Sequence, residues 1–304
     1  MSVLYDVPGP RARRRNLVFN VVFAVVLVAV AVWVLRTLDD KGVLNRAQWE
    51  PFTRGDTWTQ FVLPGLRNTL KAAGLAMVIA LPIGVLFGVA RLSEHRPLRW
   101  AAGAVVEFFR AIPVLLMMVF ASVLFTKYST VPLGNVPLIA TVTGLVLYNG
   151  SVLAEVFRAG VLALPRGQTE AGLAVGLRKG QLMRSVLLPQ ATTTMLPTIV
   201  SQLVVVLKDT ALGGLLLINF VELLRTADGI KNNYGNVVPS YIVIAAIYIA
   251  LNFAVSQIAR LLELRLRRGP RASLAGPTDQ MTPTLPGGTA ATGAGIGPGF
   301  GGVA

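Results

Sequence analysis

The stretch EVFRAGVLALPRGQTEAGLAVGLRKGQLMRSVLLPQA, from Glu155 to Ala191, decides how the rest of the chain is read. It joins two apolar runs and is punctuated by residues with strong backbone preferences. Pro165 and Gly167 stop a helix arriving from the first run, Gln168 to Val175 suits a short new helix, and Gly176 suits a left-handed stop. Arg178 to Leu187 reads as a second short helix, and Pro189 is expected to reset the chain before the next apolar run. Two short helices joined at a glycine make a compact elbow. The first carries Ala171, Gly172 and Ala174, small enough for a partner surface to approach closely.

The runs that flank the elbow lie near 137–157 and 195–218, and others lie near 69–90, 101–125 and 239–259. A sixth, residues 17–35, contains no charge and is about 28 Å long as a helix, close to one hydrocarbon thickness. The composition agrees: 54% of the 304 residues are hydrophobic and 14% are charged, against roughly 45–50% and 25% in soluble domains. The expectation is an all-α membrane protein with six transmembrane helices. Arg11, Arg13, Arg14 and Arg15 followed by Ala29-x-Ala31 also fit a secretory signal, but the apolar run continues through Val32, Trp33, Val34 and Leu35, so an uncleaved anchor is expected.

The formal net charge of +14 is distributed unevenly along this map. With the N-terminus placed in the cytoplasm, seventeen Lys and Arg fall on the inside and eight on the outside, which puts both termini in the cytoplasm of a multi-pass cell-membrane protein. The basic excess is thereby assigned to loops that face the bilayer surface, with no nucleic acid as partner. Domain limits follow: a basic N-terminus at 1–16, the first helix with its outer loop at 17–62, a core at 63–262 with the loop at 158–190, and a tail at 263–304. The tail is rich in Gly, Pro, Thr and Ala and is expected to remain disordered. Trp49 and Trp58 in the outer loop read as headgroup anchors. With no cysteine, disulfides, thiolate metal sites and cysteine nucleophiles are excluded, and the single His95 leaves little room for a histidine-built metal site.

Glu170-Ala171-Gly172-x3-Gly176, followed by Val186-x-Leu188-Pro189, resembles the E-A-A loop of the membrane subunits of bacterial ATP-driven uptake transporters. Gly172 departs from it, standing where alanine is frequent. Phe109-Arg110-Ala111-Ile112-Pro113 is similar to the F-R-G-T-P segment of polar amino-acid permeases, with Ala111 and Ile112 as departures. Glu155-x-x-Arg158-Ala159-Gly160, with Pro165-x-Gly167-Gln168-x-Glu170-Ala171, resembles their extended loop, and Val206-Leu207-Lys208-Asp209-Thr210-Ala211-Leu212 resembles L-K-D-T-S-L, with Ala211 for serine. The resemblance covers residues 65–260 and is closest to glutamate permease subunits of actinobacterial type.

The resemblance implies a type I ABC importer permease (MetI-like) fold: a five-helix core preceded by an extra span, with a coupling-helix loop. It implies a second permease subunit, identical or homologous, two ATPase subunits that bind ATP-Mg, and an extracellular amino-acid-binding protein. Gln168, Glu170, Ala171, Gly172, Gly176, Leu188 and Pro189 would belong to the ATPase-coupling loop. The chain itself would be no enzyme and hold no cofactor, and it has no G-x-x-x-x-G-K-[ST] phosphate loop. A secondary transporter or channel subunit working without an ATPase is the alternative, but it gives no reason for the loop.

Ionisable groups at bilayer depth cost at least ~2.5–3.5 kcal/mol, so each calls for a partner or a wet cavity. Glu107, Arg110, Glu155, Lys208 and Asp209 qualify. Arg110 reads either as a substrate contact or as a salt-bridge residue, with Glu107 three positions back and Glu155 as a further partner. Adjacent Lys208 and Asp209 diverge by about 100° on a helix and cannot neutralise one another. Thr210, Gly213 and Gly214 follow, suggesting a helix broken there, with a substrate site at mid-membrane. The bland reading is a snorkelling lysine and a capping aspartate. Ser201 and Gln202 are expected to bond across helices, and Thr192, Thr193 and Thr194 to cap the fifth span.

Overall fold

A computed structural model describes residues 9–217 and 220–267, all-helical apart from turns. The Gly- and Pro-rich tail lies outside the described residues from position 268 onward. Helix α1 (Pro10–Asp40) starts with proline at its first position and buries none of its residues. Short turns then lead into α2 (Leu63–Arg91). Trp49 Nε1 donates to the Val43 carbonyl at 2.9 Å and Trp58 Nε1 to that of Phe52 at 2.8 Å. Both indole N–H groups are therefore satisfied within the chain.

The run 101–125 is not one helix. Helix α3 (Arg96–Ala111) and helix α4 (Val114–Tyr128) meet at a 97° bend. Ile112, held extended by the following Pro113, makes the corner. Counted as one bent span, the pair brings the helices long and apolar enough to cross a bilayer to six. The alternation of charge and apolar groups in Arg99-Trp100…Glu107-Phe108 was the signal of a helix lying at a surface.

Helix α5 (Val136–Leu162) is the centre of the bundle, with α2, α4 and helix α7 (Leu188–Leu216) packed around it. Close approach is set by small residues, as is usual where lipid supplies no hydrophobic drive between helices. A Cβ on Gly88 of α2 would stand 2.8 Å from the Ala154 carbonyl oxygen and 2.9 Å from Phe157 Cβ of α5. Helix α6 (Arg166–Ala174) lies between α5 and α7, helix α8 (Leu223–Tyr234) follows α7, and helix α9 (Val237–Arg267) closes the bundle. A second, smaller cluster of Val62, Leu223, Ala227, Ile230 and Ile244 holds α8 against the start of α2 and α9. The bundle thus has a loop end, marked by Arg91, α3 and α6, and a far end, marked by α8 and the turns before α2.

Pro189 does not reset the chain. The helix begins at Lys179 and runs through to Leu216, because a π-helical turn, Met183–Leu187, absorbs the proline. The Leu188 N–H reaches back five residues to the Met183 carbonyl, so the ladder is already widened where Pro189 has no N–H to give. The same device precedes Pro64, where the Leu63 N–H reaches the Trp58 carbonyl.

Candidate functional site

The loop that opened the sequence reading sits at one end of the bundle as a short helix set against the base of a long one. Helix α6 starts after extended Pro165 and ends in a left-handed glycine, Gly176, with φ +84°. The Leu177 N–H bonds the Gly172 carbonyl at 3.1 Å and the Gly176 N–H bonds that of Leu173 at 3.0 Å, the pair of bonds that closes a Schellman stop. Gln168 Oε1 accepts from Gln190 Nε2 at 3.1 Å and so pins α6 to the first turn of α7, beside Leu188 and Pro189. Glu170, Ala171 and Ala174 are exposed. Gly172 is not part of that outer face: it is buried, and a Cβ there would run into Leu182. Its smallness serves packing within the chain, not approach by a partner. Lys179 pairs with Glu94 across the loop end, and this ammonium holds the Glu94 carboxyl below its ordinary range.

Arg110 joins an ion-pair network at the same end. Its Nη1 lies 3.4 Å from Glu107 Oε1, which Arg91 Nη2 also approaches at 3.1 Å. Glu155 takes Arg91 at 2.9 Å and Arg158 at 2.6 Å as direct ion-pair partners, while Arg110 acts on it only at longer range. The network ties α2, α3 and α5 together below the bend.

Lys208 and Asp209 lie elsewhere. Lys208 is twenty residues beyond Leu188, about 30 Å along α7, where it shares a groove with Leu224 of α8 and Tyr241 and Tyr248 of α9. Arg110 is therefore not brought to them. Nor is the helix interrupted: α7 continues through both residues to Leu216. The following glycines are packing positions, a Cβ on Gly213 meeting Thr141 and one on Gly214 meeting Glu222. On the intact helix the side chain of neither Lys208 nor Asp209 forms a hydrogen bond or ion pair with any described residue.

They end a polar stripe that sequence reading had treated as scattered residues. Thr194, Thr198, Ser201 and Lys208 are all exposed and fall within roughly 80° of one another on a helical wheel, an arc that also holds half-buried Val205 and is bordered on one side by half-buried Gln202 and Asp209. Ala191, Met195, Ile199, Val206 and Leu207 face the bundle core. Thr192, Thr193 and Thr194 do not cap the helix but bond carbonyls three or four residues back within it. Ser201 likewise bonds its own helix at Pro197, whereas Gln202 does cross to α5, donating to Asn149 Oδ1 at 2.5 Å.

Glu222 escaped the sequence reading. It is fully buried, accepts from the Leu224 and Arg225 N–H groups at 2.7 Å as the N-cap of α8, and receives the Tyr248 hydroxyl at 2.7 Å. A lone carboxylate directly before Leu223-Leu224 was the available signal. Among the described residues no group of three His, Cys, Asp or Glu is placed to hold a metal.

The sequence profile of the family described as "Binding-protein-dependent transport system inner membrane component" matches residues 80–268. The chain is 43% identical over 232 residues to the glutamate transport system permease protein GluD of Corynebacterium glutamicum, covering 76% of this chain and 84% of that one. It is 30% identical over 210 residues to the glutamate/aspartate import permease protein GltK of Escherichia coli, covering 67% and 93%. Among solved structures, that of an amino acid ABC transporter with histidines superposes with a TM-score of 0.61 at 29% identity, over 68% of this chain and 95% of that one. The bent α3–α4 pair, the α6 loop and the long α7 all fall within the matched profile, and the chain belongs to the binding-protein-dependent transport system inner membrane component family.

Proposed function

We propose that this chain is the permease subunit of an ATP-driven importer of a polar amino acid, with glutamate as substrate, working by alternating access. Support for the substrate comes from the glutamate permease of Corynebacterium glutamicum, 43% identical over 232 residues. The observation that carries the transport reading is the polar, exposed stripe of α7. An unpaired ammonium and carboxylate turned toward lipid would cost several kcal/mol, whereas lining a wet path they cost little. A zwitterionic substrate needs a cation and an anion that do not cancel each other, which Lys208 and Asp209 provide on one unbroken helix. Arg110 drops to a positioning role in the ion-pair network, and the second carboxylate of glutamate is left to this lysine or to the second permease subunit.

Glu170 and Ala171 on α6, held by Gln168 and the Gly176 stop, form the docking element for a separate ATPase subunit, where ATP-Mg is hydrolysed. The loop end then faces the cytoplasm with both termini, in line with seventeen inner against eight outer basic residues. An extracellular binding protein delivers substrate to the far end. The test is glutamate uptake into vesicles holding the permease pair with its ATPase. Lys208→Met and Asp209→Asn should each abolish uptake and leave basal ATP hydrolysis and assembly intact. Gly176→Val should leave the complex inserted but uncouple hydrolysis from uptake, since a Cβ in the left-handed region costs roughly 1–2 kcal/mol. Uptake that persists without any ATPase, driven by an ion gradient, would replace this reading with a secondary transporter.

A further inference from the structure

The bend at Ile112–Pro113 does more than shorten a span. It leaves α3 lying across the loop end, with Ala102 and Val106 buried against the bundle and Leu98, Trp100 and Phe108 turned outward, Trp100 being 75% exposed. Beside Trp100 is a cavity of about 430 Å³ lined by Arg91, Arg99, Gly103, Glu107 and Arg158. Three guanidinium groups face it against one carboxylate, and Glu155 behind them already serves both Arg91 and Arg158. Arg91 Nη1 is buried and, although 2.9 Å from Glu155 Oε2, makes no aligned hydrogen bond. Arg99 spends one nitrogen on the Ser93 carbonyl at 3.2 Å. The floor at Gly103 is open, with nothing within 4 Å of an added Cβ.

We propose that this cavity binds the phosphodiester headgroup of an anionic glycerophospholipid from the leaflet at the loop end. Guanidinium groups pair with phosphate oxygens through parallel N–H bonds, and an excess of them beside an exposed tryptophan is an arrangement suited to capturing a charged lipid. The outward apolar side chains decide between a lipid and a free anion. Phe108 of α3 at 60% and Leu116 of α4 at 58% exposure line one apolar groove, giving acyl chains a surface that inorganic phosphate would not use. A lipid held there would brace α3 against α2 and α5 through the same arginines that form the ion-pair network. The inference is independent of the substrate assigned to α7.

The test uses the full-length chain in neutral detergent, titrated with phosphatidylglycerol or phosphatidylcholine, with retained lipid counted by native mass spectrometry. Phosphatidylglycerol should be held about tenfold more tightly than phosphatidylcholine. Gly103→Glu, which adds a carboxylate at a position where a Cβ meets nothing within 4 Å, and Arg99→Gln should each weaken phosphatidylglycerol by roughly fivefold and leave phosphatidylcholine unchanged. Excess inorganic phosphate should displace none of the lipid. Equal retention of the two lipids, unchanged phosphatidylglycerol retention in either variant, or displacement by inorganic phosphate would each overturn the proposal, the last by making the cavity a free-phosphate site.

Discussion

Helices α1 and α5 have similar lengths, 31 and 27 residues, and both are apolar enough to cross a bilayer, yet they live in opposite surroundings. The more apolar α1 buries nothing, while α5 is the most enclosed element of the bundle. In water the order would be reversed. In lipid, Val and Leu gain nothing by leaving acyl chains for another helix, so apolar character predicts crossing and is silent about packing. What sets α5 apart from α1 is Gly144, Gly150 and Gly160, which let backbones approach, and Asn149, which is bonded by Gln202 of α7; Thr141 and Ser151 are buried with their hydroxyls bonded within α5 itself. The small and polar residues, not the large apolar ones, assign a span its neighbours.

Four substitutions probe that contrast. The largest effect is expected for Gly88→Val, whose new atoms meet backbone at Ala154 and cannot be relieved by a rotamer change; a loss of about 3 kcal/mol in unfolding free energy, read by denaturant titration in mixed micelles, is expected. Next comes Asn149→Leu, which removes the bond to Gln202 and should cost ~1 kcal/mol, with Gln202→Leu adding little more in the double variant. Smallest is Val25→Leu in α1, expected within about 0.5 kcal/mol of the parent protein in the same titration. A large loss from the α1 substitution, or none from Gly88→Val, would reverse the rule drawn from the two helices.

The same rule explains which features were readable. Uninterrupted apolar runs locate the membrane helices, and Gly176 announces its own left-handed stop because few other residues tolerate one. Prolines are a poorer guide. Pro82 and Pro197 lie inside helices and Pro64 and Pro189 follow π-helical turns, whereas Pro113 and Pro165 mark corners between helices. Gly213 and Gly214 suggested a broken helix but are contact positions, information carried by Thr141 and Glu222 on other segments. The polar stripe of α7 was written in the sequence at spacings of four, three and seven. It became legible as one surface only once the core-facing side of the helix was known.

That stripe is the account's central claim, and the absence of native cysteines makes it directly testable. Single cysteines at Thr194, Thr198, Ser201 and Lys208 in the assembled, membrane-embedded transporter should react with a membrane-impermeant thiol reagent, with added substrate protecting the cysteine at 208. Cysteines at Met195, Ile199 and Val206 should remain unlabelled. Uniform protection of the first set, or labelling of the second to the same extent, would contradict a water-lined path along α7.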